Sequence, residues 1–121
     1  MAYGFNDDKS KVEIYSKNEV YSKNDFKQKT ISPIKFTGTL TTKTLGPYIS
    51  NSSQVSFDAN DLADINKIIA VRLVRITSNA TIVARVSAIT NDVITYIAFT
   101  NVSDSEVTFN ASDVKVDIVY V

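Results

Sequence analysis

The residue types that carry most enzyme chemistry are missing from this sequence. It contains no histidine and no cysteine. Their absence removes the commonest general base, the commonest metal ligand, thiolate chemistry and disulfide bonds. Chemistry in this chain would therefore have to use carboxylates, lysine, serine or tyrosine, grouped at suitable spacings.

The densest acidic group is formed by Asp58, Asp61 and Asp64, within the segment DANDLADINK. A calcium loop of the EF-hand type that began at Asp58 would need glycine at its sixth position and glutamate at its twelfth. The chain has Ala63 and Ile69 at those positions. The EF-hand pattern therefore fails, and an irregular calcium site remains only as an alternative.

A short helical turn explains the same acidic segment more simply. Asp58 or Asn60 could cap such a turn, because the side-chain oxygens of these residue types accept hydrogen bonds from the first helical amides. Leu62 and Ile65 would then face inward. We expect a capped turn here rather than a metal site.

The remaining chemistry-bearing residues form no recognisable catalytic group. A glycosidase needs two carboxylates held across a cleft. The carboxylates within residues 92–117 instead fall in predicted turns or on outer faces of predicted strands. The three glycines are not clustered, so there is no glycine-rich phosphate loop. The sequence predicts a non-enzymatic protein with no cofactor and no metal. The carboxylates in question are Asp92, Asp104, Glu106, Asp113 and Asp117.

The charge balance argues against two further classes of partner. Lysine and arginine together number 13, as do aspartate and glutamate, so the formal net charge is zero. Nucleic-acid binders and proteins of anionic membrane surfaces need a surplus of cations. No stretch is long and apolar enough to cross a bilayer. The opening MAYGFNDDKSK lacks the apolar core of a secretory signal, so we expect the protein to work where it is made or to leave by cell lysis.

The composition divides the chain near residue 30. Residues 1–29 are polar and rich in charge, and we interpret them as an N-terminal attachment arm. Residues 30–121 are rich in Val, Ile, Thr, Phe and Tyr, in short segments separated by turns of Asn, Asp and Ser. This spacing predicts an all-β domain, either an antiparallel β-sandwich or a small jelly-roll-like barrel.

Several strands can be predicted individually. Pro33 is suited to the first residue of a strand, because it cannot donate a ladder hydrogen bond. Ile34, Phe36 and Leu40 alternate with polar residues, which predicts a strand with one wet face. The segment IIAVRLVRIT, 68–77, is apolar on both faces and predicts a central strand.

The end of the domain also gives a clear pattern. A turn is expected at Gly46 and Pro47. The last segment, VKVDIVYV, alternates strictly, so one face of its strand should be apolar. That face consists of Val114, Val116, Ile118 and Tyr120.

The arm contains one six-residue phrase written twice: YSKNEV, 15–20, is followed at once by YSKNDF, 21–26. Six residues do not match the 3.6-residue helical turn, so the two tyrosines would point to different faces of a helix. In an extended chain the two copies fall on the same side. A short helix beginning near Ser22 remains an alternative, because Ser22 and Asp25 nearly match a capping box.

Either conformation of the arm needs a surface to pack against. A segment this polar cannot bury enough apolar area by itself, so it is either a disordered tail or a docking arm. In the docking interpretation the backbone adds to the edge of a sheet and apolar side chains enter pockets of another molecule. The residues expected to do so are Tyr15, Val20, Tyr21 and Phe26.

The doubled phrase resembles a motif common in tail-fibre and related appendage proteins of bacteriophage and prophage virions. The opening MAYGFNDDKSKVEIYSK is also similar to the N-termini of small structural proteins from phage of Gram-positive bacteria. This resemblance implies a virion protein that is assembled in the bacterial cytoplasm and released by lysis. It also implies other virion proteins as partners and a homo-oligomer, a trimer above all. The position on the particle stays open among tail fibre, baseplate, head fibre and capsid decoration.

Arginines within predicted strands raise the question of an interface. Arg72, Arg75 and Arg85 lie in the most apolar segments. Strict alternation would place Arg72 with Val74 on one face, and Arg75 on the other. Arg72 and Arg75 are therefore candidates for a subunit interface, and a solvated sheet surface is the alternative.

A carbohydrate- or receptor-binding module is the second functional hypothesis. Sugar sites use exposed aromatic rings, and this chain has no tryptophan. The tyrosines that could face a host glycan are Tyr48, Tyr96 and Tyr120. The third hypothesis is a non-viral β-domain with a disordered tail.

Overall fold

The computed structural model describes residues 25–121, which form a mostly β structure. Within this range a short helix, α1 (Ala59–Leu62), and a 3-10 turn, Ala111–Asp113, lie between strands. The strands are β1 (Lys27–Ile31), β2 (Pro33–Lys35), β3 (Thr42–Leu45), β4 (Ser50–Gln54), β5 (Ser56–Phe57), β6 (Ile68–Ile76), β7 (Ile82–Thr90), β8 (Val93–Asn101), β9 (Val107–Asn110) and β10 (Val114–Tyr120).

Two three-stranded sheets carry most of the structure. The first has the order β1–β10–β6 and the second the order β4–β8–β7; two strand pairs, β2–β5 and β3–β9, complete the sheets. Every pairing is antiparallel. The predicted all-β, antiparallel, sandwich-like fold is confirmed.

The core is built around β10 and an aromatic cluster. The predicted apolar face of β10 is buried, and the residues that alternate with it along the strand are half-buried. The rings of Phe36, Phe99 and Phe109 meet with centroids 5.1–5.9 Å apart, two of the three pairs edge to face. Each buried phenylalanine contributes on the order of 2–3 kcal/mol through burial, so this cluster holds together strands far apart in the chain.

The predicted helical turn is also present. The Asp58 side chain accepts a hydrogen bond from the Asn60 amide, 2.9 Å away, and caps α1. Leu62 and Ile65 pack against the core. The predicted strand start at Pro33 and the turn after Gly46 are confirmed as well.

The alternation predicted across residues 34–40 is wrong beyond Phe36. β2 ends at Lys35, and a tight loop follows in which the Phe36 amide donates to the Leu40 carbonyl. Gly38 supplies the positive φ, +69°, that this loop requires. Phe36 is buried as expected, whereas Ile34 and Leu40 are exposed.

The strand predicted to be central lies at a sheet edge. β6 pairs with β10 on one side only, and β7 pairs only with β8. Two register irregularities opposite β6, at Asp117/Ile118 and Val119/Tyr120, interrupt its alternation. This explains why Arg72, Leu73 and Arg75 are all exposed, contrary to strict alternation.

Candidate interaction surfaces

The acidic group around α1 does not converge on a common point. Asp58 is occupied as the helix cap, whereas Asp64 accepts hydrogen bonds from Lys29 Nζ at 2.6 Å and from the Tyr120 hydroxyl at 2.9 Å. Lys29 Nζ also donates to the Asp61 carbonyl at 2.5 Å. Within residues 25–121, no three carboxylates lie close enough to hold a metal ion together. This segment instead fastens β1 to the loop after α1.

The pKa values of Asp64 and Tyr120 are shifted by these contacts. Hydrogen bonds from Lys29 and then Tyr120 lower the pKa of Asp64 below its usual value. The same contact with Asp64, aided by burial, raises the pKa of Tyr120. Both shifts favour the state in which Tyr120 is neutral and donates to a charged carboxylate.

The prediction that Tyr120 could face a ligand is therefore wrong. Its side chain is buried, with its hydroxyl on Asp64 and Lys29 Nζ 5.1 Å from the ring centroid. The strand alternation, which predicted that Tyr120 lies on the apolar face of the last strand, was correct. Tyr48 and Tyr96, by contrast, are exposed.

The two arginines predicted at an interface lie on the outer face of the first sheet. Arg72 donates to the Gln28 side chain at 2.6 Å, and Arg75 pairs with Asp117. Thr30 donates to the other oxygen of Asp117; this bond, then Arg75, lowers the pKa of that carboxyl. Arg75 is thus paired with a carboxylate, whereas Arg72 hydrogen-bonds to a neutral amide oxygen and interacts with Asp117 only through its charge.

An open seam separates β6 from β7. These two nine-residue strands lie side by side, yet no backbone hydrogen bond joins them in the part of the chain that the structure describes. Between them lies a shallow groove of about 350 Å³, formed by side chains of both strands. Its lining is Val71, Arg72, Leu73, Val74, Ala84, Arg85 and Val86.

The exposed side chains along this seam are Arg72, Leu73, Val83 and Arg85, and we call them the arginine seam. Leu73 is 52% exposed and Val83 58% exposed. Arg85 has no hydrogen-bond or ion-pair partner among residues 25–121. The arginine seam is thus apolar and cationic.

A second exposed surface is formed where two loops meet. The Tyr48 amide donates to the Ser103 carbonyl at 3.2 Å, and the Asn101 amide donates to the Ile49 carbonyl at 3.0 Å. Tyr48 has a left-handed backbone, φ 57°, and its side chain is 68% exposed. Such a conformation is costly for a tyrosine and is kept only where surrounding contacts fix it.

Asn101 supplies those contacts. It is fully buried, and its Nδ2 lies 2.8–3.2 Å from the carbonyls of Leu45, Gly46 and Ser105. Its Oδ1 accepts from both the amide and the hydroxyl of Ser103. One side chain therefore holds the 46–49 loop against the 101–105 loop.

The exposed large apolar and charged residues of these two loops, together with Glu106 directly after them, form a surface that we call the acidic loop patch: Tyr48, Ile49, Val102, Asp104 and Glu106. Ile49 and Val102 are both half-exposed or more, and both carboxylates are exposed. The patch is thus apolar and anionic. The sequence showed Asn101 only as part of a turn-like N-V-S segment, and nothing in it indicated that Tyr48 would adopt positive φ.

The outer face of the second sheet forms a shallow trough. Ser52 and Ala98 are among the residues that line it, and the Ser52 hydroxyl lies 2.8 Å from the Ser87 hydroxyl. Tyr96 stands further along the strand that contains Ala98, 41% exposed. The trough adjoins the arginine seam through Val83 and Arg85.

The residues predicted to dock the arm fall mostly outside this description. Tyr15, Val20 and Tyr21 lie outside residues 25–121. Phe26 is described and is 42% exposed, directly before β1. The alternative short helix that begins near Ser22 would include residues 27–29, which instead belong to β1.

No protein-family model, curated protein or solved structure matches this chain. Among residues 25–121 there is no helix with the length and apolar character needed to span a membrane.

Proposed function

We propose that this chain is a non-enzymatic structural protein of a bacteriophage virion. The observation that carries the proposal is the pair of exposed apolar surfaces, the arginine seam and the acidic loop patch, on a domain in which residues 25–121 bring together no three carboxylates that could hold a metal ion. Large exposed apolar patches bordered by charge are typical of surfaces that other molecules cover.

The doubled hexad supports the virion setting and gives the arm its role. The arm enters the domain through β1, an edge strand whose first residue pairs with Tyr120. Lys29 fastens that strand to the loop after α1. β1 is therefore held both by its pairing with β10 and by the contacts of Lys29 with the loop after α1, which suits an attachment point to a larger particle.

In this proposal the β-domain associates with further copies of itself, as a trimer, and the arm contacts other virion proteins. A tail or baseplate fibre is the position that the hexad favours. A head fibre or capsid decoration protein is the alternative that fits a domain of this size.

Receptor binding is the second candidate function, and Tyr48 favours it. An exposed ring on a backbone fixed in a costly conformation is an arrangement found at binding sites. Tyr96 beside the serine-lined trough offers a second exposed ring. A glycan array with the purified full chain tests this candidate: binding that Tyr48→Ser or Tyr96→Ser abolishes would support it, and no binding would reject it.

The virion proposal is tested on particles. Virions purified by density gradient from lysates of the natural host would be labelled with gold-conjugated antibodies against the β-domain. We expect label at one structural position on each particle, which would also separate tail from head. Particles free of label, with the protein left in the soluble fraction of the lysate, would contradict the proposal.

A further inference from the structure

The charges of the domain are unevenly distributed over its surface. All three arginines of the chain lie on β6 and β7. The arginine seam contains two of them, Arg72 and Arg85, and no carboxylate. The acidic loop patch contains Asp104 and Glu106 and no cation. Both surfaces also expose large apolar side chains.

We propose that the acidic loop patch of one copy of this chain docks on the arginine seam of a second copy. The two surfaces share no residue and match in character, because each offers apolar side chains between charges of one sign. Asp104 and Glu106 would meet Arg72 and Arg85, while Tyr48 and Ile49 would cover Leu73 and Val83. The inference rests on the proposed assembly role and names the surfaces that perform it.

A symmetric contact between two seams is disfavoured by the same charges. A two-fold interface places the same surface on both copies, so the arginines would face arginines. Like charges brought together across an interface cost free energy and suppress that pairing. The patch-to-seam contact instead joins two different surfaces, which generates a closed ring or a filament. A ring of three satisfies the proposed trimer.

Other acidic residues of the domain are poorer partners for the seam. Asp64 is engaged by Lys29 and Tyr120, Asp58 caps α1, and Asp117 pairs with Arg75. Leu62 and Ile65, the apolar neighbours of Asp58 and Asp64, pack on the core of their own chain. The acidic loop patch combines exposed carboxylates with exposed apolar side chains.

The two surfaces can be broken separately by reversing charges. One variant carries Arg72→Glu with Arg85→Glu, and the other carries Asp104→Lys with Glu106→Lys. The control for the arginine variant, Lys27→Glu with Lys35→Glu, lowers the net charge by the same amount on β1 and β2, outside both surfaces. Far-ultraviolet circular dichroism and thermal melting verify that each full-length variant folds.

Size-exclusion chromatography with light scattering then gives the mass of each species. We expect wild type and control to be oligomers and each broken variant to be a monomer of 13.4 kDa. An equimolar mixture of the two broken variants offers opposite charges at both contacts, because the native patch can meet the native seam and the lysine-bearing patch can meet the glutamate-bearing seam. The mixture should therefore form species larger than the monomer, although neither variant does so alone.

The contrary outcomes are distinct. Broken variants that keep the wild-type mass, or a mixture that stays monomeric, would overturn the inference alone. A monomeric wild type would overturn it together with the proposed self-association. Labelling of the virion remains an independent test of the proposed function.

Discussion

Asp64 links three parts of the chain through one carboxylate. It binds Lys29 of β1 and Tyr120 of β10 from the loop after α1. Sequence alone placed Tyr120 on the correct strand face but could not show where its hydroxyl would find a partner. The partner lies 56 residues earlier, in the acidic segment that was predicted to form a capped helical turn.

Asp64 should make the domain sensitive to acid. Because its pKa is lower in the folded than in the unfolded protein, its contribution to stability is complete above the unfolded value of about 3.9 and is lost as pH falls through the folded value. Urea unfolding midpoints measured from pH 7 to pH 2 should therefore fall less steeply for Asp64→Asn than for wild type. Parallel curves for the two proteins would refute this role; Asp61→Asn, which keeps the backbone carbonyl that accepts from Lys29, serves as the control.

Asn101 should be among the most costly polar residues to replace. Asn101→Ala leaves one buried and two part-buried carbonyls and the Ser103 amide without their partner, and an unsatisfied buried group costs about 1–3 kcal/mol. We expect a loss of about 3 kcal/mol in the free energy of unfolding by urea titration. Asn60→Ala, at an exposed site, should change it by less than about 0.5 kcal/mol. Equal effects at both sites would contradict the structural role of Asn101.

Tyr48 should separate stability from interaction. Glycine adopts positive φ without strain, so Tyr48→Gly should leave the melting temperature unchanged or raise the stability by about 1 kcal/mol. The same change removes an exposed ring and should weaken self-association measured by light scattering. A strong loss of stability would show that the ring packs on its own domain, against its 68% exposure.

At the scale of elements, local patterns predicted the strands better than their positions in the sheets. The alternation of β10 indicated a buried face that the structure contains. The segment forming β6 was apolar on both faces, which is the signature of a central strand. Its edge position depends on long-range pairing and on register irregularities that no local pattern encodes.

The same apolar pattern in β6 also held functional information. A strand that is apolar on both faces but lies at an edge keeps apolar side chains exposed, as Leu73 does. The seam could be suspected from sequence only through the arginines within apolar strands. The acidic loop patch could not, because two distant loops build it.

Hydrogen exchange distinguishes the inner strands from the seam. β8 and β10 are paired on both sides, so their amides should exchange slowly in every folded form. The outward amides of β6 and β7 should exchange rapidly in the monomeric charge-reversed variants. In the wild-type oligomer, peptides covering 68–76 and 82–90 should exchange at least about tenfold more slowly. Identical rates in the two forms would argue that nothing covers the seam.

At the scale of the whole molecule, we propose different tasks for two parts of the chain. In this proposal the β-domain presents surfaces to further copies of itself, and the arm, with its repeated tyrosines, attaches it to a particle. Composition, through the absence of histidine and cysteine and the neutral net charge, already favoured assembly over catalysis or nucleic-acid binding.

The most direct test of this division is the amount of protein carried by each particle. Phage would be grown on hosts that express either the wild-type chain or the variant Tyr15→Ser, Val20→Ser, Tyr21→Ser in place of the native copy. The control variant, Ser16→Ala with Asn18→Ala, changes polar residues of the same hexad. Quantitative mass spectrometry of purified virions would give the copy number.

We predict normal copy number for wild type and control, and a loss of at least about tenfold for the arm variant, whose β-domain remains folded and oligomeric in solution. Wild-type copy number for the arm variant would contradict the central claim that the doubled hexad is the attachment site.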